Sequence, residues 1–278
     1  MTQNYRFTNA LGYTFEQMSE MHNASFSGYF VPIEMTPEMT ADFWRLNGID
    51  ALRSVVMHDE DGAFVGMARM GTRGKRGWCG GFGIVPEFRG RGASTLLAEQ
   101  MVKVARESGL ETLQLEVLAQ NVRAYKTYQR VGFTSTRRLF GFELATTALP
   151  ASESVLPVEQ VAVETLLPWL AGNTRVCWSC EPATLLASAC EAFRLSDTSG
   201  RPNALIVQRG HGRVSILAAL VQDELTEAGL VALLRKAANL ENNIYLYNEP
   251  EESAMLARCQ ALGFTETYSQ YEMLLTLS

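Results

Sequence analysis

The ten residues VPEFRGRGAS, Val85 to Ser94, set two glycines and two arginines between an apolar run and the helix-like stretch STLLAEQMVKVARESG. Unpaired backbone N–H groups at a helix N-terminus, backed by the helix dipole, bind anions, and glycine lets a phosphate approach that backbone closely. Gly90 and Gly92 supply access while Arg89 and Arg91 supply charge, so the economical ligand is one that bears phosphate. A Walker loop needs GxxxxGK[ST], which is absent. A dinucleotide fingerprint fails because Thr95 stands where a third glycine is required.

The surrounding pattern fixes where this loop sits. TFEQMSEMHNASF and TPEMTADFWRLNG read as two amphipathic helices, the second with Thr36 as N-cap ahead of Pro37. ALRSVVMH, AFVGMARMG and WCGGFGIV read as three antiparallel strands, the first pair joined through Asp61 and Gly62. After the loop, Leu96, Leu97, Met101, Val104 and Ala105 recur at helical spacing up to Gly109. ETLQLEVLA then alternates as a strand, NVRAYKTYQRVGF is a short helix capped by Asn121, and TSTRRLFGFELAT is a closing strand. Strand, glycine loop, helix and strand make a crossover that favours parallel pairing.

The spacing Arg89, Gly90, Arg91, Gly92, Ala93, Ser94 resembles the (Q/R)xxGx(G/A) signature of the GNAT superfamily of acetyl-CoA-dependent N-acetyltransferases. Asn121, Ala124, Tyr128, Gly132 and Phe133 match that family's downstream pattern, and Ser94 departs from it where glycine or alanine is usual. The resemblance implies an α/β fold with a central mixed β-sheet flanked by helices, and acetyl-CoA as acyl donor. It further implies that the N–H groups of Arg89 to Ser94 hold the coenzyme pyrophosphate, and that Ile84 and Val85 offer backbone groups to the pantetheine arm, one N–H polarising the acetyl carbonyl. Asn121 would contact the same arm, and Tyr128 would protonate the departing thiolate. The acceptor amine would attack the thioester directly in a ternary complex.

A general base is less marked, because the strand before the loop, Trp78 to Gly83, contains no acid. Glu116 is the first candidate: in LQLEV it alternates away from Leu113, Leu115 and Val117 and can face a cleft between the strands. His22 and Glu34 follow, and a water relay or an already neutral amine needs none of them. Phe26, Tyr29 and Phe30 form either an aromatic rim to the acceptor pocket or core plugs. Lys126 and Arg130 are solvated helix cations or partners of the coenzyme's 3'-phosphate.

TTALPASESVL, residues 146 to 156, is the expected linker, dividing the chain into domains 1–148 and 149–278. The second half repeats the order, with helices near 157–170 and 182–193, and TYQRVGFT aligns without gaps on RCQALGFT. It carries QDELTEAG where the first half has the cationic loop, and Cys259 at the Tyr128 position. Two tandem GNAT-like folds are therefore expected, the second without chemistry.

A net charge of -6 excludes a broad nucleic-acid footprint, and no run approaches the roughly 20 apolar residues of a membrane span. The expected setting is cytoplasmic, with a small-molecule or peptide amine as partner, no nucleic acid or membrane, no metal, and a homodimer allowed. Five cysteines suit reduced thiols; Cys177 and Cys180 read as buried apolar residues, a redox pair being the alternative. The competing class is a non-catalytic acyl-CoA sensor or interaction protein.

Overall fold

In the computed structural model, all residues are described except 1–3, 31–33, 152–155, 171–175, 197–199, 201, 211 and 278. The chain runs β1 (Arg6–Asn9), α1 (Phe15–Ser25), α2 (Pro37–Asn47), β2 (Val55–His58), β3 (Phe64–Arg73), β4 (Arg76–Ile84) and α3 (Ala93–Glu107). It continues through β5 (Thr112–Leu118), α4 (Val122–Arg130), β6 (Thr134–Ala145), β7 (Val158–Val161), α5 (Leu167–Leu170) and α6 (Pro182–Ala187). The remaining elements are β8 (Glu191–Leu195), β9 (Ala204–Gly210), β10 (Arg213–Leu220), α7 (Glu227–Ala238), β11 (Asn243–Pro250), α8 (Ala254–Ala261) and β12 (Thr265–Thr276).

Local chemistry accounts for the boundaries that matter here. Thr14 and Gln17 form a reciprocal capping box on α1. Thr36 caps α2 with Pro37 at its first position, and Gly48 ends that helix in the left-handed region. Two expectations fail. Val158–Val161 is a strand inside the stretch read as a helix over 157–170, and the second helix stops at Ala187, so that Glu191–Leu195 pairs as a strand. Short stretches such as VEQV and EAFRL do not separate helix from strand by period alone.

The residues fall into two compact units, Met1–Thr136 with Tyr271–Ser278, and Arg137–Gln270. In the first unit the strands lie in the order β1, β2, β3, β4, β5 and then the end of β12. Its main core joins Leu97, Met101, Leu113, Leu115 and Tyr128 to Met273, Leu275 and Leu277. In the second unit the order is β7, β8, β9, β10, β11 and then β6, with β6 antiparallel to β11 from Ala145–Asn243 to Leu139–Pro250. Each unit thus takes its sixth strand from the other half of the sequence, whereas the reading by sequence halves had TSTRRLFGFELAT closing the first sheet.

The two units repeat one another locally. In both, the third and fourth strands are antiparallel and the fourth and fifth parallel. The echo TYQRVGFT and RCQALGFT becomes the same helix end twice: Phe133 N–H donates to Tyr128 C=O and Phe264 N–H to Cys259 C=O, both at 3.1 Å, with Gly132 and Gly263 at positive φ. No helix among the described residues is long and apolar enough to cross a membrane.

Candidate active site

The first unit opens a fork between β4 and β5. Their parallel register runs from Arg76–Thr112 to Cys79–Leu115 and goes no further. Beyond it β4 stays antiparallel to β3, and the Val85 N–H donates to Val65 C=O at 2.9 Å. Alternation along an antiparallel ladder then turns the N–H groups of Phe82 and Ile84 away from β3, towards the fork. Of the two residues expected to serve the pantetheine arm, Ile84 keeps its N–H for the fork, while the N–H of Val85 is already used.

The glycine loop closes one end of this fork. Gly90 and Gly92 have φ of 76° and 87°, a region side chains rarely adopt, and a Cβ at either would meet open space. Gly92 is the N-cap of α3, with no side-chain cap and no acid in the first turn. Arg89 N–H bonds back to Pro86 C=O, but the N–H groups of Gly90, Arg91, Gly92, Ala93 and Ser94 have no protein acceptor among the described residues. Five free donors at the positive end of a 15-residue helix form an anion cradle. Ala93 is buried in the core and fixes the helix start.

Arg89 does not supply its side-chain charge to that cradle. Its guanidinium donates to the carbonyls of Ile84 (2.8 Å), Ser25 (2.9 Å) and Ser27 (2.9 Å), tying the loop to β4 and to the C-terminal end of α1. Arg91 is exposed and bonds to no described residue, so it is the arginine free to meet a phosphate.

Tyr128 lies on α4 with its ring buried edge-on against Phe82 and Phe133, centroids 5.5 and 5.9 Å away. Its hydroxyl makes no hydrogen bond to a described residue. Burial pushes its pKa well above 10, with Cys79 and Tyr29 adding in the same direction, so the hydroxyl holds its proton through the neutral range. Asn121 is the N-cap of α4, accepting from Ala124 N–H at 3.2 Å, and its side-chain nitrogen lies 3.5 Å from the Tyr29 hydroxyl. The loop after α1 therefore reaches the fork through Tyr29, which packs against Phe26 and Phe30. His22 is buried and stacks on Phe26 at 4.4 Å; Glu34 is exposed.

The opposite wall is built by β3, β4, β5 and α2. Glu116, the first β5 residue past the last β4 pair, accepts from Trp78 Nε1 at 2.7 Å. Trp78 also packs on Phe43, and the Arg69 guanidinium lies over the Phe43 ring, 4.6 Å from its centroid. Arg69 is only 4% exposed; one nitrogen reaches Gly80 C=O at 3.4 Å, and Nε and Nη1 have no partner among the described residues. Burial draws its pKa down to about 10, and it pushes Cys79 up to about 12. Gly81 is glycine because a Cβ there would lie 2.3 Å from an Arg69 nitrogen. Arg69 and Trp78 escaped the sequence reading, whose available signal was the CGG run that leaves β4 bare beneath them.

The second unit forks in the same place, β10 and β11 pairing only from Arg213–Asn243 to Ile216–Leu246. Its helix mouth is closed, however. Thr226 caps α7 through Gly229 N–H at 3.1 Å, Glu227 occupies the first turn, and Arg258 donates to the carbonyls of Gln222, Asp223 and Leu225. Cys259 is fully buried, its pKa raised by burial. Among the described residues no cluster of three metal-ligating side chains occurs in either unit.

Residues 15–133 match the acetyltransferase (GNAT) family. The chain is 33% identical over 69 residues to N-alpha-acetyltransferase 30 of Schizosaccharomyces pombe, and 40% identical over 55 residues to the uncharacterized N-acetyltransferase YdgE of Bacillus subtilis. Those matches span 46% and 35% of the two relatives, less than half of either, and 25% and 20% of this chain. Among solved structures, a GCN5-related N-acetyltransferase from Sphaerobacter thermophilus superposes with a TM-score of 0.70 at 12% identity, covering 98% of this chain and 96% of that one. A tandem GNAT protein from the clavulanic acid biosynthesis pathway gives 0.67 at 15% identity over 99% of both chains. These likenesses establish the tandem fold.

Proposed function

With residues 15–133 matching the acetyltransferase (GNAT) family, we propose that the protein transfers an acetyl group from acetyl-CoA to a primary amine, using the first unit alone. The observation that carries this reading is the row of five unpartnered N–H groups from Gly90 to Ser94, standing at the end of a strand fork that also holds Tyr128. The cradle fits a pyrophosphate, with Arg91 as its cation. The Ile84 N–H is turned towards the fork, where a fixed dipole aimed at developing charge on a carbonyl oxygen contributes a few kcal/mol. As the new C–N bond forms and the C–S bond breaks, Tyr128 gives its proton to the departing sulfur and Glu116, held by Trp78, takes the proton of the amine.

Arg69 narrows the acceptor. Arg69 has no acid partner among the described residues, which is costly for a buried guanidinium, and an amine that brings its own carboxylate would supply the missing charge. Two curated relatives are named N-alpha-acetyltransferases, so peptide N-termini join free amino acids among acceptors to be tried. The competing reading is a non-catalytic acyl-CoA sensor, favoured by Glu116 being already engaged by Trp78.

Calorimetry with acetyl-CoA, followed by a thiol-release screen across amines and short peptides, tests the proposal. One site per chain with turnover supports it. Binding without turnover on any amine favours the sensor, and absence of binding sinks both.

A further inference from the structure

The second unit has lost the anion cradle but not its fork. Where β10 and β11 part, a cavity of about 310 Å³ is lined by Val176, Cys177, Leu217, Tyr247, Glu249 and Glu252, among others. Its walls are partly apolar and, among the described residues, its charged lining residues are the acids Glu249 and Glu252; the Arg137 guanidinium donates to the carbonyl of the lining residue Val176 at 3.4 Å. The backbone that carries Glu249 is specially built. The β11–β6 register shifts between Leu246 and Glu249, and Asn248 sits at φ 46°, in the left-handed region. That conformation is pinned because Asn248 Oδ1 accepts from the Tyr268 hydroxyl at 2.7 Å and from Gln270 Nε2 at 2.8 Å. Glu249 itself accepts one hydrogen bond, from the Ser253 hydroxyl, and forms no ion pair with a described residue.

We propose that this cavity binds a small primary ammonium compound with an apolar body, its charge paired with Glu249 and its hydrocarbon part against Val176 and Leu217. Arg137 acts on the Glu249 charge but forms no ion pair with it, and an ammonium group entering the cavity would supply that pair. The volume lies at the lower end of ligand pockets, suiting a ligand far smaller than a coenzyme. An anionic ligand would meet Glu249 and Glu252 together. A metal ion lacks the necessary third ligand among the described residues.

The charge state of Glu249 supplies a second readout. Burial raises its pKa to about 7, with Glu252 adding to the rise and Ser253 and Arg137 opposing it. Cys259 on α8 feels the Glu249 charge, and its own pKa is raised further. At pH 7 a substantial fraction of Glu249 is therefore protonated, and an ammonium group that pairs with it must release that proton.

The test is calorimetric titration of the full chain at pH 7 with 2-phenylethylamine, and with 2-phenylethanol as its neutral counterpart, in two buffers of different ionisation heat. The amine is expected to bind at least tenfold tighter than the alcohol, with a buffer-dependent heat that reports proton release. Glu249→Gln should remove the proton release and at least tenfold of amine affinity, leaving acetyl-CoA binding as it was. Ala219→Leu, which fills the cavity while keeping the carboxylate, should weaken amine and alcohol alike. Equal binding of amine and alcohol, or amine binding unchanged in Glu249→Gln, overturns the proposal. Amine binding that survives both substitutions belongs to the first unit and also overturns it.

Discussion

Arg89 Nη2 lies 2.9 Å from the carbonyl oxygen of Ser25, a contact between residues 64 positions apart that places a cation on the C-terminal end of α1. A charge that the loop pattern offers to a phosphate thus closes a helix, at the end where a cation is favourable. Arg89→Ala should lower stability by about 1 to 2 kcal/mol, since charge-assisted hydrogen bonds are worth roughly that much. Arg91→Ala should leave the melting temperature unchanged and weaken acetyl-CoA in a salt-dependent way. Thermal melts and calorimetry at two ionic strengths separate the two arginines.

Tyr128→Phe should keep acetyl-CoA affinity within about twofold and lower kcat by about 10² to 10⁴, the usual range for a general acid. Because burial holds the Tyr128 pKa well above 10, the acid form persists as pH rises, and kcat should show no alkaline loss from this group between pH 8 and 10. A pH–rate profile of the native protein shows whether that limb is flat.

If Arg69 receives an acceptor carboxylate, amino acids should be preferred over their amides, and Arg69→Met should erase the preference chiefly through KM. Gly81→Ala tests the same point indirectly, because its methyl group would lie 2.3 Å from an Arg69 nitrogen and displace it. Paired kcat/KM values for phenylalanine and phenylalaninamide give the ratio to follow.

Glu249 makes stability depend on pH with a definite sign. Its folded pKa of about 7 lies above the ordinary glutamate value near 4.5, so the folded state binds the extra proton between those values. Stability should fall as pH rises from about 5 to 7, by up to about 3 kcal/mol, and level off above. Glu249→Gln should remove that slope, and urea midpoints at pH 5 and pH 8 measure it.

A chain ending at Gln270 loses Met273, Leu275 and Leu277, each buried in the core of the first unit. At on the order of 2 kcal/mol apiece, their loss approaches the net stability of a domain. Such a truncation should abolish acetyl-CoA binding although every residue of the loop and fork is present, and a melt followed by circular dichroism would show the lost transition.

The contrast between what the sequence discloses and what it conceals follows from distance along the chain. The glycine loop, the Asn121 cap and the Tyr128 helix are contained within short stretches, and local spacing reveals them. Glu116 could be placed at the fork because alternation along LQLEV excludes the core face. The Trp78 bond to Glu116 spans 38 residues, and the bare seat of Arg69 depends on Gly81 of another strand, so neither leaves a local mark. The exchange of closing strands is concealed for a different reason. The stretches that form β6 and β12 alternate alike and follow the same Gly-Phe turn, so either could complete either sheet.

That exchange sets an order on synthesis. Residues Met1–Thr136 leave the ribosome first, yet their sheet lacks its sixth strand until residues 271 to 276 have been made. The unit proposed to carry out catalysis must therefore wait, incompletely edged, while the unit without an anion cradle is translated. The second unit has β6 before its other five strands exist and can close as soon as β11 emerges. A nascent chain usually secures its leading domain first. Here the trailing unit can be finished earlier, and the first unit is sealed only by residues 271 to 276.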